Sequence, residues 1–434
     1  MFEDLKPFAI FSPTGGTRKD VPSILLSQAF TPDNDKVVFI DKEIHRRKMR
    51  DYYFKNNDVP VKTPDGYPAL LITCYIKEST NTQYFLIFTK KHIYCWNPTT
   101  EAFDTKYTLS TDATDWHITF FNDKIVATSG NDYVLIWDGT GNFTPLSYKY
   151  GIVVGYTGEK TTVDADSAEE QKVLNVTSTT NFVAGDVVIV NKGGTREEKG
   201  KIDTIQAGAS ITLLDNLTYT HTQTDADEVE ICSVCTKAKY VSEYERFLLV
   251  GYPYIDGKWY PVGILSSAFG DENNFVSSNS GYYQAGEGGK ITGFGELQGI
   301  KYIFKENSRV QMWLVASADV FNFRELKDSF GTRASHSIIN DDKGNLYYLA
   351  SDNTIKLEGS GTISQPIQTE ILDKINPAQV NLVRSAFVSD YKELMWSIPL
   401  EESSQNNCVI AFKDGIWLLL KNIGISDFGY YYTS

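Results

Sequence analysis

The stretch KYVSEYERFLLVGYPYIDGKWYPVGILSSAFGDENNF, residues 239–275, decides how the rest of the chain is read. An aromatic-flanked apolar run (244–250), an Asp256-Gly257 turn, a second run (259–265) and a Gly270-Asp271 stop describe two paired strands that bury one face. Similar units recur at residues 67–107, 117–146, 293–327, 336–367 and 384–420, each an apolar strand, a polar turn and a second strand. A recurrence of roughly 30–45 residues falls near the spacing of propeller blades.

Composition supports strands. Among 434 residues there are 26 Tyr and 24 Phe against 4 Met, and Thr, Val and Ile fill the periodic runs, which suits half-buried pleated surfaces. The net charge of -14 argues against a protein that coats nucleic acid, because phosphate neutralisation needs clustered Lys and Arg. The N-terminus, acidic at Glu3 and Asp4 and broken by prolines, does not read as a secretory signal, and no run reaches the ~18 apolar residues of a membrane span. The scattered cysteines, Cys74, Cys95, Cys232, Cys235 and Cys408, fit reduced thiols made in a cytoplasm. Only Cys232 and Cys235 are close in sequence, and without a second ligand pair they read as core residues of a strand and not as a metal site.

One basic cluster stands out. His45-Arg46-Arg47-Lys48-Met49-Arg50 is either a solvated turn or an arm that docks on an acidic neighbour, so Arg46, Arg47, Lys48 and Arg50 are the candidate partner-binding residues. In the unit at 117–146, turns at Asn122-Asp123, Gly130-Asn131-Asp132 and Asp138-Gly139 carry the chemistry of tight hairpins. From Tyr156 to Glu230 the character changes: an acidic run, TTVDADSAEEQ (161–171), reads as a solvated linker, and short β-branched strands between Gly-rich turns then read as a small inserted barrel. Closure of the ring of blades would use the strand near residues 36–40.

Catalytic signatures are missing from the sequence. Gly286-Glu287-Gly288-Gly289-Lys290-Ile291 resembles a phosphate loop, but Gln284 stands where the first Gly is required and Ile291 where Ser or Thr should bind magnesium. No G-x-S-x-G or H-E-x-x-H occurs. The expectation is a non-enzyme with no cofactor and no metal.

A barrel carrying T-x-x-F-x-x-G-D-x-V-x-V (Thr179, Phe182, Gly185, Asp186, Val188, Val190), a strand ending in Ser-x-x-Gly-Asp-x-x-x-Phe (Ser267, Gly270, Asp271, Phe275), and the Phe-Lys-Glu-Asn-Ser run at 304–308 follow one another in the chain. In this order they resemble the β-propeller tail proteins of tailed bacteriophages, of the tail-hub, nozzle or packaged-DNA-stabilisation type. The resemblance implies a structural virion protein of the tail, assembled in the host cytoplasm. Its partners would be other tail or head–tail connector proteins and its own copies in a ring of six, with DNA only as the passing genome. The acidic balance suits such a conduit, since a like-charged lining lets DNA slide. The alternative is a receptor- or glycan-binding tail protein, in which Tyr252, Tyr254, Trp259, Tyr260, Tyr282 and Tyr283 stack on sugar faces. The fold expected is all-β: a β-propeller of about six or seven blades with a small inserted β-barrel. Residues 1–155 would be the N-terminal arm and first blades, 156–235 the barrel, and 236–434 the remaining blades.

Overall fold

The computed structural model describes residues 63–428 apart from 317–318, 327–329, 390 and 422–424, together with strand backbone at Val37–Ile40, Glu43–Arg46, Lys55–Asn56 and Val59–Pro60. Among the described residues the fold is all-β, and helical turns are limited to short 3-10 pieces such as Ser335–Ser337. Five sheets are four-stranded antiparallel meanders, covering residues 71–108, 117–145, 291–325, 339–362 and 384–421. Such a meander is the unit from which β-propellers are built, and the fold class is the β-propeller. These sheets coincide with five of the recurrent sequence units. The blade count differs from the expected six or seven because the sixth unit, at 239–275, does not form a sheet of its own.

That unit belongs to a ten-stranded sheet. The strand Glu228–Tyr244 runs for 17 residues. Its first half pairs on one edge with Ile152–Ala165 and on the other with Val187–Val190, and its second half pairs with Phe247–Ile255. The remaining pairings join Val173–Val176, Ser210–Leu213 and Glu198–Gln206. They close a six-stranded barrel, so the inserted barrel exists but is continuous with the neighbouring sheet. Its interior is filled by Phe182, Val188 and Val190 of the sequence motif with Leu174, Ile202, Ile211, Val229 and Ile231. The linker expected at 161–171 begins as strand: Thr161 and Val163 are buried while Asp164 is exposed. The acidic residue occupies the solvent side of a period-two pattern.

Two compact units result, one made of the described residues up to Trp116 together with those from Ala285 onward, the other of His117–Gln284. In the first, the largest core packs Trp396 and Trp417 with Leu372, Val383, Leu394 and Ile410. The strand Val37–Ile40 pairs with Glu43–Arg46 in a two-stranded sheet, not with a blade. The last sheet is tied to the first by the C-terminal segment instead. Asp427 accepts the Ile72 N–H at 2.5 Å, while Ser397 Oγ and Asn406 Nδ2 donate to the Ile425 carbonyl at 2.9 and 3.2 Å. Burial pushes the Asp427 carboxyl up to about 7, against the opposing pull of Arg384.

Turn chemistry follows the sequence at Asn122-Asp123 (φ 47° and 58°) and at Asp256-Gly257 (φ 47° and 79°). It departs at Glu245-Arg246 (φ 49° and 63°), a two-residue hairpin turn that splits the apolar run 244–250 into two strands. Neither side chain prefers the left-handed region. Glu245→Asn is expected to stabilise the protein by about 0.5–1 kcal/mol through relief of that strain. A rise in melting temperature checks this, and a fall contradicts the turn assignment.

Candidate functional site

The motif around Gly270-Asp271 builds one loop, residues 267–280. Ser267 is fully buried; its hydroxyl donates to the Ala268 carbonyl at 2.8 Å and accepts the Leu248 N–H at 3.0 Å. Gly270 takes φ 70°, and its N–H donates to the Arg246 carbonyl at 2.8 Å. Phe275 enters the core formed by Phe121, Val126, Leu248 and Leu265. The loop is then fastened across the sheet 117–145. The buried Glu272 carboxylate accepts from Asn122 Nδ2 at 2.8 Å and from Lys124 Nζ, and Ser147 Oγ donates to the Asn273 carbonyl at 2.6 Å. Burial works against ionising Glu272, and the Lys124 bond together with Asn122 and a backbone N–H holds its carboxyl below the ordinary value. What the loop carries outward is apolar: Phe269 and Val276 are 49% and 44% exposed. Phe269 is held edge-on to Phe247, with the Arg246 guanidinium 4.8 Å from its ring centre.

The Phe304–Ser308 run builds a second loop. Lys305 is fully buried, and its ammonium donates to the carbonyls of Ala285 (2.7 Å) and Glu287, with Glu325 at 3.4 Å. Asn307 N–H donates to the Gly288 carbonyl at 3.2 Å, and Ser308 Oγ to that of Glu287 at 3.3 Å. Gly288, at φ 105°, lies where a Cβ would stand 2.2 Å from Ser308 Oγ. The piece that resembles a phosphate loop is thus a cage for a lysine, and burial lowers the Lys305 pKa despite Glu325. Lys305→Met removes the charge but leaves the caging carbonyls unpaired. It should cost about 2–4 kcal/mol and speed amide exchange across 285–290; unchanged exchange would show that the lysine does not hold the loop.

The aromatic residues singled out for stacking pack largely on one another. Trp259 lies 5.2 Å from Tyr252 and 5.0 Å from Tyr254, and Tyr260 lies 5.9 Å from Tyr282. Of the six, Tyr282 alone is exposed, at 42%. A cleft of about 560 Å³ opens beside Glu228–Tyr244. Two irregularities shape it. Thr157, Gly158 and Glu159 stand opposite Ile231 alone, and Thr236 has no opposite residue where Cys235 pairs with Ile255 and Lys237 with Tyr254. Bulges of this kind re-aim side chains.

The barrel also holds a charged network with no sequence signature. His221 is fully buried, with Nδ1 2.8 Å from Asp227 Oδ2 and Nε2 2.7 Å from Glu198 Oε1. A neutral imidazole has one N–H, so only the doubly protonated ring satisfies both carboxylates. Burial opposes the charge, and the bonds to Glu198 and Asp227 outweigh it, raising the pKa above the ordinary value. Arg196 adds bonds to the Thr220 carbonyl at 3.0 Å and to Asp225 at 2.6 Å. Because the folded pKa is raised, this stabilisation is complete below the unfolded value of about 6.5 and is lost as pH rises through the folded one. The gap in melting temperature between wild type and His221→Gln should therefore narrow as pH rises above about 6.5. A gap independent of pH would contradict the charged clamp.

Cys232 packs with Val153, Val187 and Ile189, whereas Cys235 lies in a different cluster with Phe121 and Val126. Burial pushes both thiols up to about 12, and the pair is spent on core packing. Of the basic cluster, Arg46 ends the strand Glu43–Arg46; its side chain and all of Arg47, Lys48 and Arg50 lie outside the described residues.

No family model matches the chain, and no curated protein matches it. Among solved structures it is similar to YCF48 bound to D1 peptide, at 7% identity and a TM-score of 0.35 over 83% of each chain. It is also similar to the extracellular domain of the one component system BT4673 from B. thetaiotaomicron, at 8% identity and a TM-score of 0.28, over 89% of this chain and 52% of that one. Neither likeness carries an argument about function. Among the described residues no helix is long and apolar enough to cross a membrane.

Proposed function

We propose that this protein is a structural component of a bacteriophage tail, in which copies form a ring around the DNA path and help to seal or complete the tail. The observation that supports this reading best is the use made of the two motifs behind the resemblance. Ser267, Gly270 and Asp271 in one, and Lys305, Asn307 and Ser308 in the other, are spent on fixing loops by hydrogen bonds, and Phe275 fixes the first by packing in the core. The first loop then holds Phe269 and Val276 in solvent. A pre-fixed loop with apolar residues at its tip loses little entropy on docking, which suits a subunit contact. The net charge of -14 suits a conduit that repels the passing genome. On this reading Arg46, Arg47, Lys48 and Arg50 dock on an acidic neighbour, through a contact whose strength falls with salt.

The test is to image particles assembled with wild-type protein, without it, and with Phe269→Asp. Absence of the protein is expected to give truncated tails or heads that leak DNA. Phe269→Asp should still fold, with a melting temperature lowered by no more than the loss of its contacts with Phe247 and Arg246, yet fail to enter particles, since each contact should exceed about 1,000 Å² and place the loop within it. Complete, DNA-retaining tails in the absence of the protein would overturn the reading.

A further inference from the structure

We propose that the cleft beside Glu228–Tyr244 is a binding site for a neutral oligosaccharide, a function that does not depend on the tail-assembly reading. Tyr254 supplies an aromatic face that is already fixed, half-buried and 5.0 Å from Trp259. Stacking the C–H face of a sugar on it therefore costs little side-chain entropy. Asp186 and Asp256 each spend one carboxylate oxygen on a backbone N–H, that of Val183 and that of Val234, both at 2.9 Å. This orients each carboxyl and leaves its second oxygen as an acceptor for a hydroxyl. Asn181 Nδ2 donates to Glu159 at 2.7 Å across the rim, so an amide oxygen and a further carboxylate oxygen face the same space. Lys201, also in the lining, supplies a donor. Sugar hydroxyls both donate and accept, and this mixture of fixed acceptors, donors and aromatic rings is what they need.

Other ligands fit less well. Three carboxylates against one ammonium repel phosphates and nucleic acid. An apolar ligand would strip these groups of water and return no hydrogen bonds. A polyamine would meet the carboxylates but would bring its charge toward Lys201, which lies 5.4 Å from the Tyr150 ring centre. The volume of about 560 Å³ lies within the roughly 300–1,000 Å³ of small-ligand sites.

Saturation-transfer NMR on the full chain tests the proposal, with maltohexaose, cellohexaose and N-acetylchitohexaose as probes and spermidine as competitor. Transfer to at least one saccharide is expected, with spermidine failing to displace it. Tyr254→Ala should weaken binding about tenfold, the loss of one stacking contact. Because that change also removes packing on Trp259, Asp186→Asn serves as the second variant: it keeps the oxygen that orients the Val183 N–H, and it should weaken binding without moving the melting temperature. No transfer to any of the three saccharides, or equal binding by wild type and both variants, overturns the proposal. Spermidine binding without saccharide binding assigns the cleft to cations instead.

Discussion

The two-sided pairing of Glu228–Tyr244 is the constraint on which the unit 117–284 depends. Along its first half both edges are occupied, so the strand cannot slide without breaking two ladders at once. Its side chains alternate between two cores: Val229 and Ile231 face the barrel interior, while Cys232 and Val234 pack with Val153 and Ile189. A one-residue slip would exchange those faces and place the whole set wrongly. The ladder with Val187–Val190 ends at Cys232 and that with Ile152–Ala165 at Cys235, beyond which the strand pairs with Phe247–Ile255, and the bulge at Thr236 marks the change. The same bulge, with the one at residues 157–159, opens the cleft. One strand therefore sets the barrel, the adjoining sheet and the shape of the space beside them.

Buried charges supply the second layer of specification. Glu272, Lys305 and His221 are each almost or wholly out of water, where an unpaired charge would cost several kcal/mol, so each needs its partners in place. Each partnership fixes a loop: Glu272 holds 267–280, Lys305 holds 285–289, and His221 with Arg196 holds the crossing from Ser210–Leu213 to Glu228–Tyr244. Apolar packing alone would leave these loops free to adopt several arrangements. Charges that must be met by particular donors and acceptors leave one.

Much of this was readable from residue order and some of it could not be. The five units that fold as separate sheets show in the spacing of apolar runs and in Asn/Asp/Gly turns, because both signals are local. The barrel motif was legible for the same reason, with Phe182, Val188 and Val190 all inward. The outer strands Thr144–Pro145 and Gly361–Thr362 are too short to display a period. The turn at Glu245-Arg246 was hidden because its residues are not those that favour positive φ, and the flanking run reads as one strand. The buried networks were invisible for a different reason. Lys124 and Glu272 are 148 positions apart, and either residue alone looks like a solvated surface charge.

The proposed cleft requires that the barrel and the sheet containing Phe247–Ile255 behave as one rigid body, since its lining draws on both. Native-state hydrogen exchange along residues 228–244 measures this most directly. Amides on both sides of Thr236 are expected to share one opening free energy and to respond together to denaturant. Fast, independent exchange of residues 228–235 with residues 238–244 still protected would show a barrel that opens on its own, and would contradict the shared-strand architecture.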